Sequence, residues 1–418
     1  MTTEFTRHRG MPEAFTLCLN PAARPDAAWT PAQDAVLNDT AHAAALATVS
    51  AWPGYEQTPL VNLPALASKL GIAALDYKDE GGRFGLGSFK ALGGAYAVAR
   101  LLCAELSRRL GREVPMAEVT ARTHAELVAG ITVCCATDGN HGRSVAWGAR
   151  TFGCRCVIFI HATVSDARRD AIAAYGAEVR RCAGNYDDSV RAAQDTATRE
   201  GWFVVSDTSY PGYMEVPRDV MQGYEIMAGE AFDVLETPPT HIFLQTGVGG
   251  MAAAVTALAK RRWGAERPVI VLCDPDRSAC VMVSVRAGTP TPVTGDLDTL
   301  MAGLACGEVS ALAWEILKDH ADAVVAVTDE AAVDVMRRLA SPAGGDPAIV
   351  AGESAVAGLA ALQAVMRDPE ARDLLGLDAA SRVLLFGTEG DTDPELYARL
   401  VGRTAADVRG GQNVSSQE

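Results

Sequence analysis

Short apolar runs alternate with amphipathic stretches along most of the chain. The run ITVCCAT (Ile131–Thr137) is rich in β-branched residues, as is typical of a parallel strand buried on both faces. After an amphipathic stretch that ends at Gly153, the run CRCVIFI (Cys154–Ile160) repeats this pattern. Further apolar runs lie at 240–245, 268–275 and 381–387. This regular strand–loop–helix alternation predicts an α/β fold with mostly parallel sheets covered on both faces.

The two ends of the chain lack this alternation. Residues 1–56 are rich in Pro, Ala and Trp and show no phased strand pattern, so we expect an N-terminal arm that wraps the domain or a partner subunit. Beyond the arm, Ala73–Lys78 predicts a strand, and a helix is expected to begin at Ser88. The polar residues 406–418 are expected to form a disordered tail.

Composition narrows the class of protein. A chain of 418 residues can form two domains. The net charge of −15 and the pI near 5.0 disfavour nucleic-acid binding, because an acidic surface repels phosphate backbones. The N-terminal sequence lacks an apolar signal region, and no apolar stretch is long enough to cross a bilayer, so we expect a cytoplasmic protein without a membrane partner.

The ten cysteines are scattered and form no pair of CxxC motifs. A zinc ribbon is therefore not predicted, and neither is any other metal site. Cysteine usage of this kind fits a reducing compartment.

Two glycine-rich loops follow apolar strands, at the sheet edge where open α/β folds bind ligands. In the loop TGVGG (246–250), the backbone can approach an anion closely and point N–H groups at it from a helix N-terminus. The same glycines also fit a tight turn without a ligand. In the loop DGNHG (138–142), a polar cluster is costly to bury unless its side chains are satisfied. Asp138 either serves a site or only caps the following helix.

A third glycine-rich segment, GRFGLGSFKALGG, contains Lys90. Because Ser88 is a plausible N-cap, Lys90 is expected in the first helical turn, where the positive end of the helix dipole favours a neutral amine. Schiff-base chemistry needs such an amine. Most lysines are solvated surface residues, but the apolar neighbours Phe84, Leu86 and Phe89 argue against an exposed face here.

Several segments together resemble one enzyme family. These are KDEGGRFGLGSFKALGGAYA, ATDGNHGRSVAWGAR, DTSYPGYMEVPRDVMQGY, QTGVGGMAAAV, TLMAGLACGE, AGESAVAGLAAL and TEGDTDPELY, in the order in which the family carries them. The chain resembles the fold type II enzymes that depend on pyridoxal 5′-phosphate (PLP), a group that includes threonine dehydratase and the tryptophan synthase β subunit. Within this group it is similar to the diaminopropionate ammonia-lyases. The resemblance runs from Lys78 to Tyr397.

The resemblance implies a fold, a cofactor and cofactor-binding residues. The fold would be two three-layer αβα lobes with mostly parallel sheets, and the cofactor PLP. Lys90 matches the lysine that holds PLP as a Schiff base, and Asn140 matches the asparagine that binds the 3-hydroxyl of the cofactor. The loop residues Gly247, Val248, Gly249 and Gly250 match the phosphate-binding loop. Thr388 lies near the place of a small hydroxyl opposite the pyridine nitrogen, where a neutral partner would leave that nitrogen largely unprotonated.

Two aspartates bear on the substrate. Asp138 matches an aspartate proposed as an acid or base in the diaminopropionate enzymes, whereas threonine dehydratase-like enzymes carry a small residue there. Asp207 matches a second aspartate near the substrate, although it could also be a residue that only starts a turn. A carboxylate suits a substrate with a cationic β-amine. The chain departs from the family at CDPD (273–276), where a glutamate more often precedes the proline and Asp274 keeps the carboxylate.

The resemblance implies elimination of ammonia from D- or L-2,3-diaminopropionate, which yields pyruvate and a second ammonia. The alternatives are a PLP-dependent dehydratase or β-replacement enzyme that acts on serine, threonine or hydroxyaspartate, or a PLP-binding protein without turnover. The resemblance also implies a homodimer. It further implies a large PLP-binding domain (57–99 and 222–405) and a smaller substrate-side domain (100–221).

Overall fold

The computed structural model describes residues 4–7, 14–137, 139–184 and 186–412. The strands are β1 Glu4–Arg7, β2 Phe15–Leu19, β3 Leu60–Asn62, β4 Ala74–Asp79, β5 Thr132–Ala136, β6 Arg155–Ile160, β7 Glu178–Arg181, β8 Phe203–Val204, β9 His241–Gln245, β10 Val269–Pro275, β11 Ala323–Val327 and β12 Arg382–Gly387.

The helices are α1 Pro31–Val36, α2 Asp39–Val49, α3 Pro64–Leu70, α4 Lys90–Leu110, α5 Met116–Thr120, α6 Ala125–Ala129, α7 Asn140–Phe152, α8 Asp166–Ala173, α9 Tyr186–Glu200, α10 Glu215–Val234, α11 Gly250–Trp263, α12 Cys280–Ala287, α13 Ala311–His320, α14 Asp329–Ala340, α15 Ala357–Arg367, α16 Pro369–Leu374, α17 Pro394–Val401 and α18 Ala405–Gln412.

Contacts divide the chain into two compact units. The large unit consists of Met1–Val36, Gln57–Gly82 and Met227–Glu418, and the small unit of Leu37–Glu56 and Arg83–Ile226. These bounds differ from the predicted ones, in which 1–56 form a separate arm and 57–99 belong to the large domain. In the structure α4 packs against α7, so the whole of α4 belongs to the small unit, and the arm is shared between the two units.

The large unit contains an eight-stranded sheet in the order β1-β2-β11-β10-β9-β12-β4-β3. Its central strands β11, β10, β9, β12 and β4 are parallel, and antiparallel strands cover both edges. The strand β9 is buried at every position, which explains the apolar run 242–244 at its centre. Because parallel strands end at the same edge, the loops after β9, β10 and β12 lie together there.

The strand β2 was not expected, because the arm shows no phased strand pattern. It pairs antiparallel with the edge strand β11, and Leu17 and Cys18 are fully buried there. The partner strand and the core beneath it, rather than the local pattern, therefore determine this strand.

The small unit contains a four-stranded parallel sheet in the order β7-β6-β5-β8. The helices α7 and α9 both pack against β5 and β6. Burial raises the pKa of the thiol of Cys134 on β5 to about 12, as expected for a cysteine in an apolar core.

The C-terminal region differs from its prediction. Residues 406–412 were expected to be disordered and instead lie in α18, whereas 413–418 lie outside the described residues. Among the described helices, none is long and apolar enough to cross a membrane.

Candidate active site

Lys90 is the first residue of α4, and Phe89 is the N-cap. The helix thus starts two residues after Ser88, the cap expected from the sequence. Lys90 lies in the first helical turn, as predicted, and its side chain is 19% exposed.

An unusual turn precedes Lys90. Phe84 has a φ of 52°, a left-handed conformation that costs a residue with a Cβ about 1–2 kcal/mol. Its ring packs 4.9 Å from the ring of Trp147 on α7 and 6.2 Å from that of Trp52 in the arm. Arg83 donates from Nη1 to the Glu56 carbonyl oxygen at 2.9 Å and is almost fully buried. Residues of the arm therefore hold the turn that leads to Lys90.

Lys90 is paired with Asp207. Its Nζ donates to Oδ2 of Asp207 at 2.6 Å and lies 5.4 Å and 5.6 Å from the ring centres of Phe89 and Tyr224. An ammonium group held by a carboxylate between two aromatic rings is not a solvated surface lysine. The structure thus brings together two of the predicted catalytic residues.

His141 is the second partner of Asp207. Its Nδ1 lies 3.9 Å from Oδ2 of Asp207, and its Nε2 is 2.8 Å from the Val205 carbonyl oxygen, an acceptor that requires a proton on Nε2. Burial is the largest influence on the pKa of Asp207 and would raise it, but the charges of Lys90 and His141 together lower it well below its usual range. Asp207 is therefore a carboxylate at neutral pH.

Close packing of α4 and α7 brings their N-termini together. A Cβ added to Gly94 would lie 2.0 Å from the Ser144 hydroxyl oxygen, and one added to Gly148 would lie 2.8 Å from Cα of Ala95. Only glycine permits this approach. Gly94 and Ser144 each lie four residues after the start of their helix, so the two helices begin side by side.

Asn140 is the first residue of α7, adjacent to His141, and so shares this end of the helix pair with Lys90. Asp138, the third predicted catalytic residue, lies outside the described residues, and its role stays a prediction.

In the large unit, the loop Thr246–Gly250 joins β9 to α11. Gly249 has a φ of 90°, which favours glycine, and a Cβ on Gly247 would lie 3.2 Å from the Gly303 carbonyl oxygen. Within the described part of the chain, the N–H groups of residues 247–250 have no hydrogen-bond acceptor. They are therefore available to an anion at the N-terminus of α11.

Thr388 follows β12 and contacts Gln245, the last residue of β9. The Gln245 Nε2 donates to the Thr388 hydroxyl oxygen at 2.8 Å and to the Phe386 carbonyl oxygen at 2.6 Å. Both Gln245 and Thr388 are buried. Thr388 thus lies beside the end of β9, where the glycine loop starts.

Asp274, the residue at the family departure, supports the same loop. Its Oδ1 accepts from the hydroxyl of Thr246, the first loop residue, and its Oδ2 accepts from the N–H of Met282 on α12 at 2.9 Å. Burial raises the pKa of Asp274 to about 7, although both hydrogen bonds favour its charged form.

The sequence analysis did not single out Gln245. The available signal was a polar residue that follows the apolar run 242–244 and directly precedes a glycine loop. His141 was also given no role, because an isolated histidine is more often structural. Its contact with Asp207, which lies 66 positions further along the chain, depends on the fold.

Comparison with known proteins places this geometry in a family. The sequence pattern of the family described as "Pyridoxal-phosphate dependent enzyme" matches residues 51–386. The diaminopropionate ammonia-lyase of Escherichia coli strain K12 is 40% identical over 356 residues, which cover 83% of this chain and 88% of that protein. The diaminopropionate ammonia-lyase of Salmonella typhimurium is 39% identical, with coverage of 84% and 90%. The crystal structure of the E. coli enzyme in complex with D-serine superposes with a TM-score of 0.84 at 35% identity and covers 93% of this chain and 96% of that one.

The chain therefore belongs to the pyridoxal-phosphate dependent enzymes and, within them, to the diaminopropionate ammonia-lyase family. The family, the fold class and the cofactor predicted from the sequence are thereby confirmed.

The residues present fit PLP. In the large unit, the N–H groups of the loop 247–250 have no acceptor among the described residues and match a phosphate group, and the buried hydroxyl of Thr388 suits a ring nitrogen. In the small unit, Lys90 carries a primary amine, the group that forms a Schiff base with a carbonyl.

Proposed function

We propose that this chain catalyses the PLP-dependent α,β-elimination of 2,3-diaminopropionate to pyruvate and two molecules of ammonia. The Lys90–Asp207 pair is the observation that carries the proposal. Asp207 is held as a carboxylate and binds an alkylammonium group at 2.6 Å. The β-ammonium group of diaminopropionate is a cation of the same kind, whereas serine and threonine carry a neutral hydroxyl at that position.

In this proposal each residue has a defined task. Lys90 holds the cofactor at its carbonyl carbon, Asn140 binds the 3-hydroxyl, residues 247–250 bind the phosphate, and Thr388 contacts the ring nitrogen. When bound, PLP stabilises negative charge at the α-carbon of the amino acid, so the α-proton can be removed.

Lys90 and Asp138 are the proposed acid–base residues. Lys90 removes the α-proton of one enantiomer, and Asp138 removes that of the other from the opposite face. Asp207 orients the β-ammonium group, which already carries the proton that it needs to leave as ammonia, and Lys90 or Asp138 supplies that proton to a β-amine that is neutral. The unsaturated product hydrolyses in water to pyruvate and the second ammonia.

Product stoichiometry and absorbance test the proposal. Purified protein saturated with PLP should absorb in the visible range and convert D- or L-diaminopropionate to pyruvate with two ammonia per pyruvate. Lys90→Ala should lose both properties, whereas Lys69→Ala, which removes an exposed lysine of α3, should keep them. A protein that binds no PLP, or that turns over serine better than either diaminopropionate isomer, would overturn the proposal. The second result would favour the dehydratase alternative.

Asp138→Ser separates the substrate classes further. It should impair diaminopropionate turnover more than any serine turnover, because a hydroxyl does not bind a cationic amine as a carboxylate does. Unchanged diaminopropionate turnover would remove Asp138 from the mechanism.

We also propose that the enzyme acts as a homodimer, which the family resemblance implies, and that it works in the cytoplasm, a reducing compartment that fits its cysteine usage. Light scattering after size-exclusion chromatography tests the homodimer, and a monomeric mass would contradict it.

A further inference from the structure

The side chain of Gln245 has one possible orientation. Its terminal atom nearest the Phe386 carbonyl oxygen lies at 2.6 Å, and a carbonyl oxygen only accepts hydrogen bonds. That atom must therefore be Nε2, because the flipped amide would bring two acceptors into contact. The second hydrogen of Nε2 points to the Thr388 hydroxyl oxygen at 2.8 Å.

This orientation also fixes the Thr388 hydroxyl. A hydroxyl that accepts from an amide must direct its own hydrogen elsewhere. Gln245 cannot receive it, since its Oε1 is the more distant amide atom and is itself buried without a hydrogen-bond partner in the described part of the chain. Among the described residues, no acceptor for the Thr388 hydrogen is found. A buried donor of this kind costs free energy unless a ligand accepts from it.

We propose that Gln245 is a positioning residue that fixes the Thr388 hydroxyl as a hydrogen-bond donor to the ring nitrogen of PLP. The inference rests on the proposed function, in which Thr388 contacts that nitrogen. A nitrogen that accepts from a hydroxyl carries no proton of its own. An unprotonated nitrogen withdraws electrons from the ring less strongly than a protonated one. In this way Gln245 favours elimination over other reactions at the α-carbon of the substrate.

The polarity of residue 245 can be reversed with little change in shape. In Gln245→Glu, burial favours the protonated acid, whose O–H can donate to the Phe386 carbonyl oxygen. This oxygen has no second hydrogen for Thr388, so it can only accept from the Thr388 hydroxyl, whose hydrogen then points away from the cofactor. The Thr388 lone pair would face the ring nitrogen, which becomes protonated. Gln245→Met is the matched control, because it removes the amide but provides no acceptor, and the Thr388 hydroxyl can still donate to the nitrogen.

The readout is the ¹⁵N resonance of the ring nitrogen in resting holoenzyme loaded with ring-labelled PLP. We expect an unprotonated, hydrogen-bonded position in the wild-type protein and in Gln245→Met, and a shift toward the pyridinium position in Gln245→Glu. Gln245→Met should lower only the melting temperature. A pyridinium signal in the wild-type protein would overturn the proposal without the need for any variant.

Thr388→Val separates the role of Thr388 from that of Gln245. If it moves the resonance and Gln245→Glu does not, Thr388 contacts the nitrogen but Gln245 only joins β9 to β12, and the inference is wrong. If Thr388→Val leaves the resonance unchanged, Thr388 does not contact the nitrogen, and both the assigned role of Thr388 and the inference are wrong.

Discussion

Asp274→Asn should make the stability of the protein less dependent on pH. Asp274 is fully buried, and its pKa is raised from the usual 3.8 to about 7. The asparagine can keep both hydrogen bonds, because its oxygen accepts from the Met282 N–H and its amide donates to the Thr246 hydroxyl oxygen. The substitution therefore removes the ionisation of residue 274 with little change in packing.

The size and sign of the effect follow from the two pKa values. Between pH 3.8 and about 7 the native state keeps a proton on Asp274 that the unfolded chain has released, so unfolding becomes easier as the pH rises. Each pKa unit corresponds to about 1.4 kcal/mol, so the full loss in the wild-type protein reaches about 4 kcal/mol above pH 7. About 2–3 kcal/mol of this loss falls between pH 5 and pH 8.

Urea unfolding of the PLP-saturated protein at pH 5, 6, 7 and 8, followed by tryptophan fluorescence, measures this difference. The unfolding free energy of Asp274→Asn should exceed that of the wild-type protein by an amount that grows by about 2–3 kcal/mol over the series. Asp298→Asn removes an exposed carboxylate and should follow the wild-type profile. Parallel profiles for Asp274→Asn and the wild-type protein would refute the reasoning.

Three further substitutions test the packing around the site. Glu230→Met removes the carboxylate that lies 2.6 Å from the buried Lys78 ammonium group, so it should lower the free energy of urea unfolding by about 3–5 kcal/mol. A second change, Lys78→Met, should restore most of this loss. Gly223→Ala places a Cβ 2.0 Å from the Leu92 carbonyl oxygen and should destabilise by about 1–3 kcal/mol, visible as a lower melting temperature; an unchanged value would contradict the close approach. Arg83→Met removes the hydrogen bond to the arm, so it should lower the free energy of unfolding by about 1–3 kcal/mol and speed the release of PLP on dilution. Retention of PLP as in the wild-type protein would show that the arm does not position the turn before Lys90.

The sequence predicted the elements whose pattern is local. The strands β5, β6, β9, β10 and β12 are buried on both faces, so each reads as a continuous apolar run whatever its neighbours are. The strands β2 and β3 lie at or next to the sheet edges and carry weak patterns. Their conformation depends on pairing with β11 and β4, residues distant along the chain, which no window of sequence contains.

For the candidate site, sequence reasoning found residues whose neighbours along the chain are distinctive. Lys90 and residues 247–250 lie in glycine-rich segments at helix starts, and the structure places them there. The sequence could not show that Asp207 contacts Lys90, because these residues lie 117 positions apart and their contact depends on the packing of the small unit. Burial would raise the pKa of Asp207, and the charges of Lys90 and His141, which lie far from it along the chain, lower it instead.

Gln245 shows why the donor and acceptor of a hydrogen bond are harder to predict from a sequence than the position of a residue in the fold. It lies 143 positions from Thr388, and the parallel register of β9 with β12 brings the two together. A sequence could at best identify a glutamine before a glycine loop. The main-chain carbonyl oxygen of Phe386 orients its amide. Because every residue has a main-chain carbonyl, the sequence does not indicate which one an amide will contact. The direction in which the Thr388 hydroxyl donates therefore depends on the folded sheet. A change such as Gln245→Glu, which keeps the fold but replaces the donor to Thr388 by an acceptor, tests this direction without altering the threonine.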